Sequence, residues 1–123
     1  MRLRALVIAA CILAALGVAA GGGASPSAGT AAAPVTVRMG DFFFRPRVVT
    51  VHVGQRVRFV NVGKIVHTVA DTDRGWNLRS KLIKPRPLAN GQSQTVRFSR
   101  VGTVYYLCTF HPTLMRGRII VVR

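Results

Sequence analysis

The sequence contains no glutamate and only three aspartates, Asp41, Asp71 and Asp73, against 18 lysines and arginines, for a formal charge of +15. That scarcity leaves almost nothing for hydrolysis by paired carboxylates. There is no Gly-rich phosphate loop, and no Ser-His-Asp pattern stands out. The basic residues are spread from Arg38 to Arg123 rather than gathered in one run, and no helix-turn-helix or zinc-finger pattern accompanies them. Nucleic acid is therefore not an expected partner. No stretch of the domain has a convincing amphipathic helical period. Cysteine is also scarce, with only Cys11 and Cys108.

The first of these cysteines falls in a targeting segment. Met1-Arg2-Leu3-Arg4 is a positive start, Ala5 to Ala20 is unbroken apolar sequence with one Gly17, and Gly21-Gly22-Gly23-Ala24-Ser25 follows. This is the pattern of a secretory leader, with cleavage expected after Ala20 or Ala24. A membrane span needs about 20 residues, more than this run supplies. Ile8-Ala9-Ala10-Cys11 resembles a lipoprotein box, but only six apolar residues precede Cys11 and nine follow it. Export without a lipid anchor is the preferred reading over anchoring at Cys11. The expected organisation is a leader over 1–24, an uncharged Ala/Gly/Ser/Pro tether over 25–34 and one domain over 35–123. The mature chain then keeps one thiol, Cys108, in an oxidising compartment, where it has no disulfide partner.

The domain reads as strands. Val35, Val37 and Met39 alternate with polar residues, as do Val49, Val51 and Val53, and Val57 and Phe59. Phe42 to Phe44, Val66 to Val69, Thr95 to Phe98, Thr103 to Leu107 and Arg118 to Val122 complete about seven or eight short runs punctuated by glycine. Period two with Val and Phe argues for an all-β sandwich. Asp71 to Asn90 is the one long connection, with Trp76 expected to pack down on the sheets.

Chemistry concentrates near the end. Cys108, His111 and Met115 lie within eight residues, on a loop between two apolar runs. A second imidazole, His67, sits where the loop after Asn61 returns into a strand. Two imidazoles and a thiolate make a trigonal set with a thioether on the axis, donors that suit both Cu(II) and Cu(I). His52 alternates with Val51 and Val53 and points outward. Asn61 is expected to brace the His67 loop, Thr68 to tie the two loops together, Met39 and Tyr106 to lie in the core, and Leu114 to sit in an apolar patch.

Phe44-Arg45-Pro46, Val49-Thr50-Val51 with Gly54, Val57 to Asn61, His67-Thr68-Val69, Tyr106 to Pro112 and Met115-Arg116-Gly117 occur in an order that resembles the cupredoxins. These are the blue copper proteins in their small plastocyanin-, pseudoazurin- and amicyanin-like form. The resemblance implies an eight-stranded Greek-key sandwich with one copper at one end. It places His67, Cys108 and His111 as equatorial ligands and Met115 as the axial one. It also makes the edge of His111 the electron's way out. Three residues separate His111 from Met115, where the amicyanin-like pattern has two and the plastocyanin pattern four. This mixed loop length bears on the axial bond.

The expected function is an exported, monomeric, non-enzymatic carrier of single electrons. The alternative is a copper-delivery protein without redox turnover. An accessory domain of an oxidase or reductase, and a metal-free binding module, are more distant rivals. Removing Arg2 and Arg4 leaves sixteen basic residues against three acidic ones, so an acidic redox partner or an anionic envelope surface is the expected contact.

Overall fold

The structure, a computed structural model, describes residues 32–123. The expected leader, Cys11 and the tether through Ala31 lie outside the described residues. Eight strands follow in order: β1 Val35–Gly40, β2 Phe43–Arg45, β3 Val48–His52, β4 Arg56–Asn61, β5 Ala70–Thr72, β6 Ser93–Arg97, β7 Gly102–Leu107 and β8 Arg116–Val122. They form a Greek-key β-sandwich of two mixed four-stranded sheets, ordered β2-β1-β4-β6 and β3-β8-β7-β5. Within each sheet one pair is parallel, β1 with β4 and β3 with β8, and the others are antiparallel.

The alternation in the sequence is the alternation of burial. Val49 and Val51 of β3, Val57 and Phe59 of β4, and Ile119 and Val121 of β8 face inward, while Thr50, His52, Arg58 and Arg118 face water. Each such side chain contributes roughly 1.5–3 kcal/mol when fully buried. Phe44, Phe59 and Tyr106 form the centre of the core, with edge-to-face rings 4.8 to 6.5 Å apart. Tyr106 also reaches the Arg47 carbonyl with its hydroxyl, and burial pushes its phenol well above the ordinary range.

One expected strand is displaced. Val66 to Val69 is not a strand; His67 makes only an isolated bridge to Leu88, and β5 begins at Ala70. All three residues of β5 are buried, so this strand carries no period-two signal. The long connection after it contains no helix among the described residues. Asp71 organises it instead: its carboxylate accepts the Leu82 and Ile83 amides. Trp76 packs as expected, half-buried and edge-on to Tyr105.

Pairing fixes what gathers at one end of the sandwich. Because β1 and β4 are parallel, both leave the sheet at that end, and the Val62 amide bonds back to the Met39 carbonyl. Ala70 lies opposite Leu107, so Thr68 and Val69 arrive beside Cys108. Three connections therefore converge there: the β1–β2 turn, the loop from Asn61 to Thr68, and the loop from Cys108 to Met115.

Candidate metal centre

The Cys108–Met115 loop is a continuation of the β7–β8 hairpin. Leu107 pairs with Arg116, and the next rung is the Cys108 amide donating to the Met115 carbonyl at 3.0 Å. The His111 amide then donates to the Cys108 carbonyl, and both the Leu114 and Met115 amides donate to the His111 carbonyl. That single tight turn accommodates the three-residue gap, bringing Met115 back onto the rung of Cys108. Met115 and Cys108 are both fully buried within the core cluster. Arg116 ties the loop outward: its Nε donates to the Pro112 carbonyl, and its guanidinium lies 4.6 Å from the centre of the Trp76 ring.

The His67 loop is built differently. Asn61, fully buried, donates through Nδ2 to the Ile65 and Leu88 carbonyls at 2.8 and 2.7 Å, and its Oδ1 accepts the Gly63 amide at 2.8 Å. This is the brace expected of it. His67 is 0% exposed. Its Nδ1 is 3.9 Å from Cys108 Sγ, and its ring meets that of His111 at a centroid distance of 5.5 Å. Among the described residues no three His, Cys, Asp or Glu side chains form by themselves a group fit for a metal ion. The geometry is pairwise, Cys108 with His67 and His67 with His111, and the thioether of the buried Met115, a softer ligand type, lies on the adjoining rung. The donors fit copper in kind, and all lie at one end of the sandwich.

Thr68 joins the two loops. Its amide points at Cys108 Sγ from 3.4 Å and its hydroxyl from 3.7 Å. The same hydroxyl accepts the Thr109 amide at 2.8 Å and lies 2.7 Å from the Thr109 hydroxyl. Thr109 was not singled out by the sequence; its position beside the cysteine was the available signal. His52 is exposed, as expected, and bonds the Arg123 carbonyl away from this end.

Two further residues at the site had no signature in the sequence. Asp41, in the β1–β2 turn, places Oδ1 3.0 Å from His67 Nε2 and accepts the Lys64 and Ile65 amides. The Lys64 amide and, next, the His67 ring hold its carboxyl below the usual carboxylate range. Its neighbour Phe42 packs edge-on to the His111 ring, with centroids 4.8 Å apart. Phe42, Phe110 and Leu114 leave an exposed apolar rim around the half-buried His111.

The comparisons with known proteins agree with this arrangement. The model of the family described as copper binding proteins, plastocyanin/azurin family, matches residues 31–122. A purple cupredoxin from Nitrosopumilus maritimus has the same fold, with a TM-score of 0.68 and 22% identity over 72% of this chain and 99% of its own. A mutant amicyanin in its reduced state is 28% identical with a TM-score of 0.62, over 72% of this chain and 82% of its own. A copper-containing nitrite reductase from Thermus scotoductus is 28% identical with a TM-score of 0.63 over 74% of this chain. The match covers only 23% of that enzyme. The comparison with curated proteins finds no match. The fold, the convergence of a thiol with two imidazoles and the family match lead to one conclusion: the chain belongs to the plastocyanin/azurin family of copper binding proteins, a cupredoxin whose cofactor is copper.

Proposed function

We propose that this chain is an exported, monomeric carrier of single electrons, with one copper that His67, Cys108, His111 and Met115 would hold. The observation that carries the reading is the approach of His67 Nδ1 to Cys108 Sγ, 3.9 Å apart, both fully buried, with the His111 ring against His67. Bound there, copper supplies a one-electron couple between Cu(II) and Cu(I).

The remaining work falls to the chain. Thr68 directs two donors at the sulfur and locks the ligand loops to each other. Loops so interlocked hold the donors in one place through both redox states, which keeps reorganisation small. His111 is the one donor that is only half-buried, and the apolar rim of Phe42, Phe110 and Leu114 offers a dry contact zone around it. The excess of basic residues steers an acidic partner toward the protein. No bond of a substrate is made or broken in this role, so the chain is not an enzyme. The leader-like start of the sequence supports export.

The test is the Cu(II)-loaded protein. An intense visible thiolate-to-copper band that disappears in Cys108→Ala, with reversible voltammetry and fast self-exchange, is the expected result. A colourless protein with no copper affinity would end the proposal. Ready loss of Cu(I) to a chelator, with no redox cycling, would favour copper delivery. Association with an acidic partner should slow as ionic strength rises; a flat response would remove the steering.

A further inference from the structure

We infer that the β1–β2 turn is a working part of the metal centre, with Asp41 the positioning residue that fixes the tautomer and orientation of His67. The inference rests on the copper-centre reading above and assigns a role to a residue outside the ligand set. An ionised carboxylate only accepts hydrogen bonds. His67 must therefore donate from Nε2 to Asp41 Oδ1, across 3.0 Å. In the neutral ring the lone pair is then left on Nδ1, the nitrogen that faces Cys108 Sγ. The carboxylate cannot easily swing away: Lys64 donates to both oxygens, at 3.0 and 2.9 Å, and Ile65 to Oδ1 at 3.3 Å. Gly63 leaves it room, since a Cβ there would collide with the Asp41 carboxylate and lie 2.9 Å from the Asp41 amide nitrogen.

A simpler account has Asp41 merely capping the His67 loop. That explains the bonds from the two amides but not the one from a fully buried ring, made on the far side from the thiol. The adjacent residue points the same way. Phe42 adopts φ of 76°, a left-handed conformation that bulky residues avoid, and its ring rests on His111. Two consecutive residues thus touch the two imidazoles, one each. Among the described residues the Asp41–His67 contact is also the one ion-pair contact of a basic side chain with an aspartate, although Asp41 is 30% exposed and basic side chains are abundant. A negative charge behind an imidazole makes the ring a stronger donor and favours the more positive metal state.

The test uses nitrogen NMR on the metal-free protein and voltammetry on the copper-loaded one. In the native metal-free chain, at a pH where the ring is neutral, His67 should carry its proton on Nε2. Asp41→Ala should abolish that preference, while Asp41→Asn keeps the shape and removes the charge. Asp41→Asn should raise the reduction potential, and either variant should weaken copper binding by about ten- to a hundredfold. A native His67 protonated on Nδ1 would overturn the inference. So would variants that fold and leave tautomer, affinity and potential unchanged. If the native chain bound no copper, the functional proposal would fall, while the tautomer would still decide the role of Asp41.

Discussion

The Cys108–Met115 and Asn61–Thr68 loops meet at one end of the sandwich but are held by different means. The Cys108–Met115 loop is closed by its own backbone, through four amide-to-carbonyl bonds that begin and end within it. The Asn61–Thr68 loop relies on other segments and on side chains: its backbone bonds run outward, Val62 to Met39 and His67 with Leu88, while Asn61, Asp41 and Asn90 supply the side-chain bonds. The difference shows where each half of the centre is vulnerable. The hairpin loop is expected to tolerate changes to exposed side chains such as Phe110 and Leu114, because its shape lies in the backbone. The His67 loop depends on residues far from it in sequence.

The sharpest way to break this contrast is Asn61→Ala. It removes three bonds to backbone groups: the Gly63 amide and the Ile65 carbonyl lose the Asn61 partner, while the Leu88 carbonyl keeps the His67 amide, and each group left unpaired costs roughly 1–3 kcal/mol. Denaturant unfolding of the metal-free protein should therefore show a loss of about 3–5 kcal/mol; a loss under ~1 kcal/mol would mean the loop holds itself. Thr68→Val comes next. It keeps the volume but leaves the Thr109 amide without its partner and removes one donor from the sulfur. A cost of about 1–2 kcal/mol is expected, together with a shifted thiolate-to-copper band. Leu114→Ala probes the other side of the contrast. Leu114 is 66% exposed at the tip of the self-closed loop, so stability should stay within about 0.5 kcal/mol. Self-exchange should nevertheless slow, since the apolar rim shrinks; an unchanged rate would place the contact zone elsewhere.

The smallest effect is a pH slope. The turn at Asp73 is another loop closed by a side chain, here without any metal donor: the Asn77 side chain and amide hold the Asp73 carboxyl below its usual range. A carboxyl lowered in the folded state contributes stability above its unfolded pKa of ~3.9 and loses it as pH falls through the lower folded value. Asp73→Ala should remove that part of the acid dependence, so that stability falls less steeply on acidification. Acid titration of the unfolding midpoint would show no difference from the native chain if the turn were irrelevant.

Much of the fold was legible because water selects one face of each strand. Val57 and Phe59, or Val49 and Val51, announce a half-buried strand by alternation alone. Ala70 to Thr72 could not, being buried throughout, and the neighbouring Val66 to Val69 offered a false run in its place. The cysteine, second histidine and methionine were legible because their spacing is local, and His67 and Asn61 because a sandwich returns that loop to the same end. Asp41 read only as a turn residue and Phe42 only as part of a strand run. Their contact with the imidazoles arises from the parallel pairing of β1 with β4, a long-range event that leaves no pattern among neighbouring residues.

The parallel pairing of β3 with β8 sets Val48 opposite Arg118, so the sheet that leads into Cys108 closes only when β8, the last of the described strands, docks. Such distant pairing belongs to slow folding, on the order of milliseconds to seconds for small β domains. During that interval the only thiol of the domain has neither its burial nor its Thr68 donors, and it is open to oxidants that the finished sandwich excludes. The docking of β8 therefore sets when this sulfur gains the shelter it has in the finished fold.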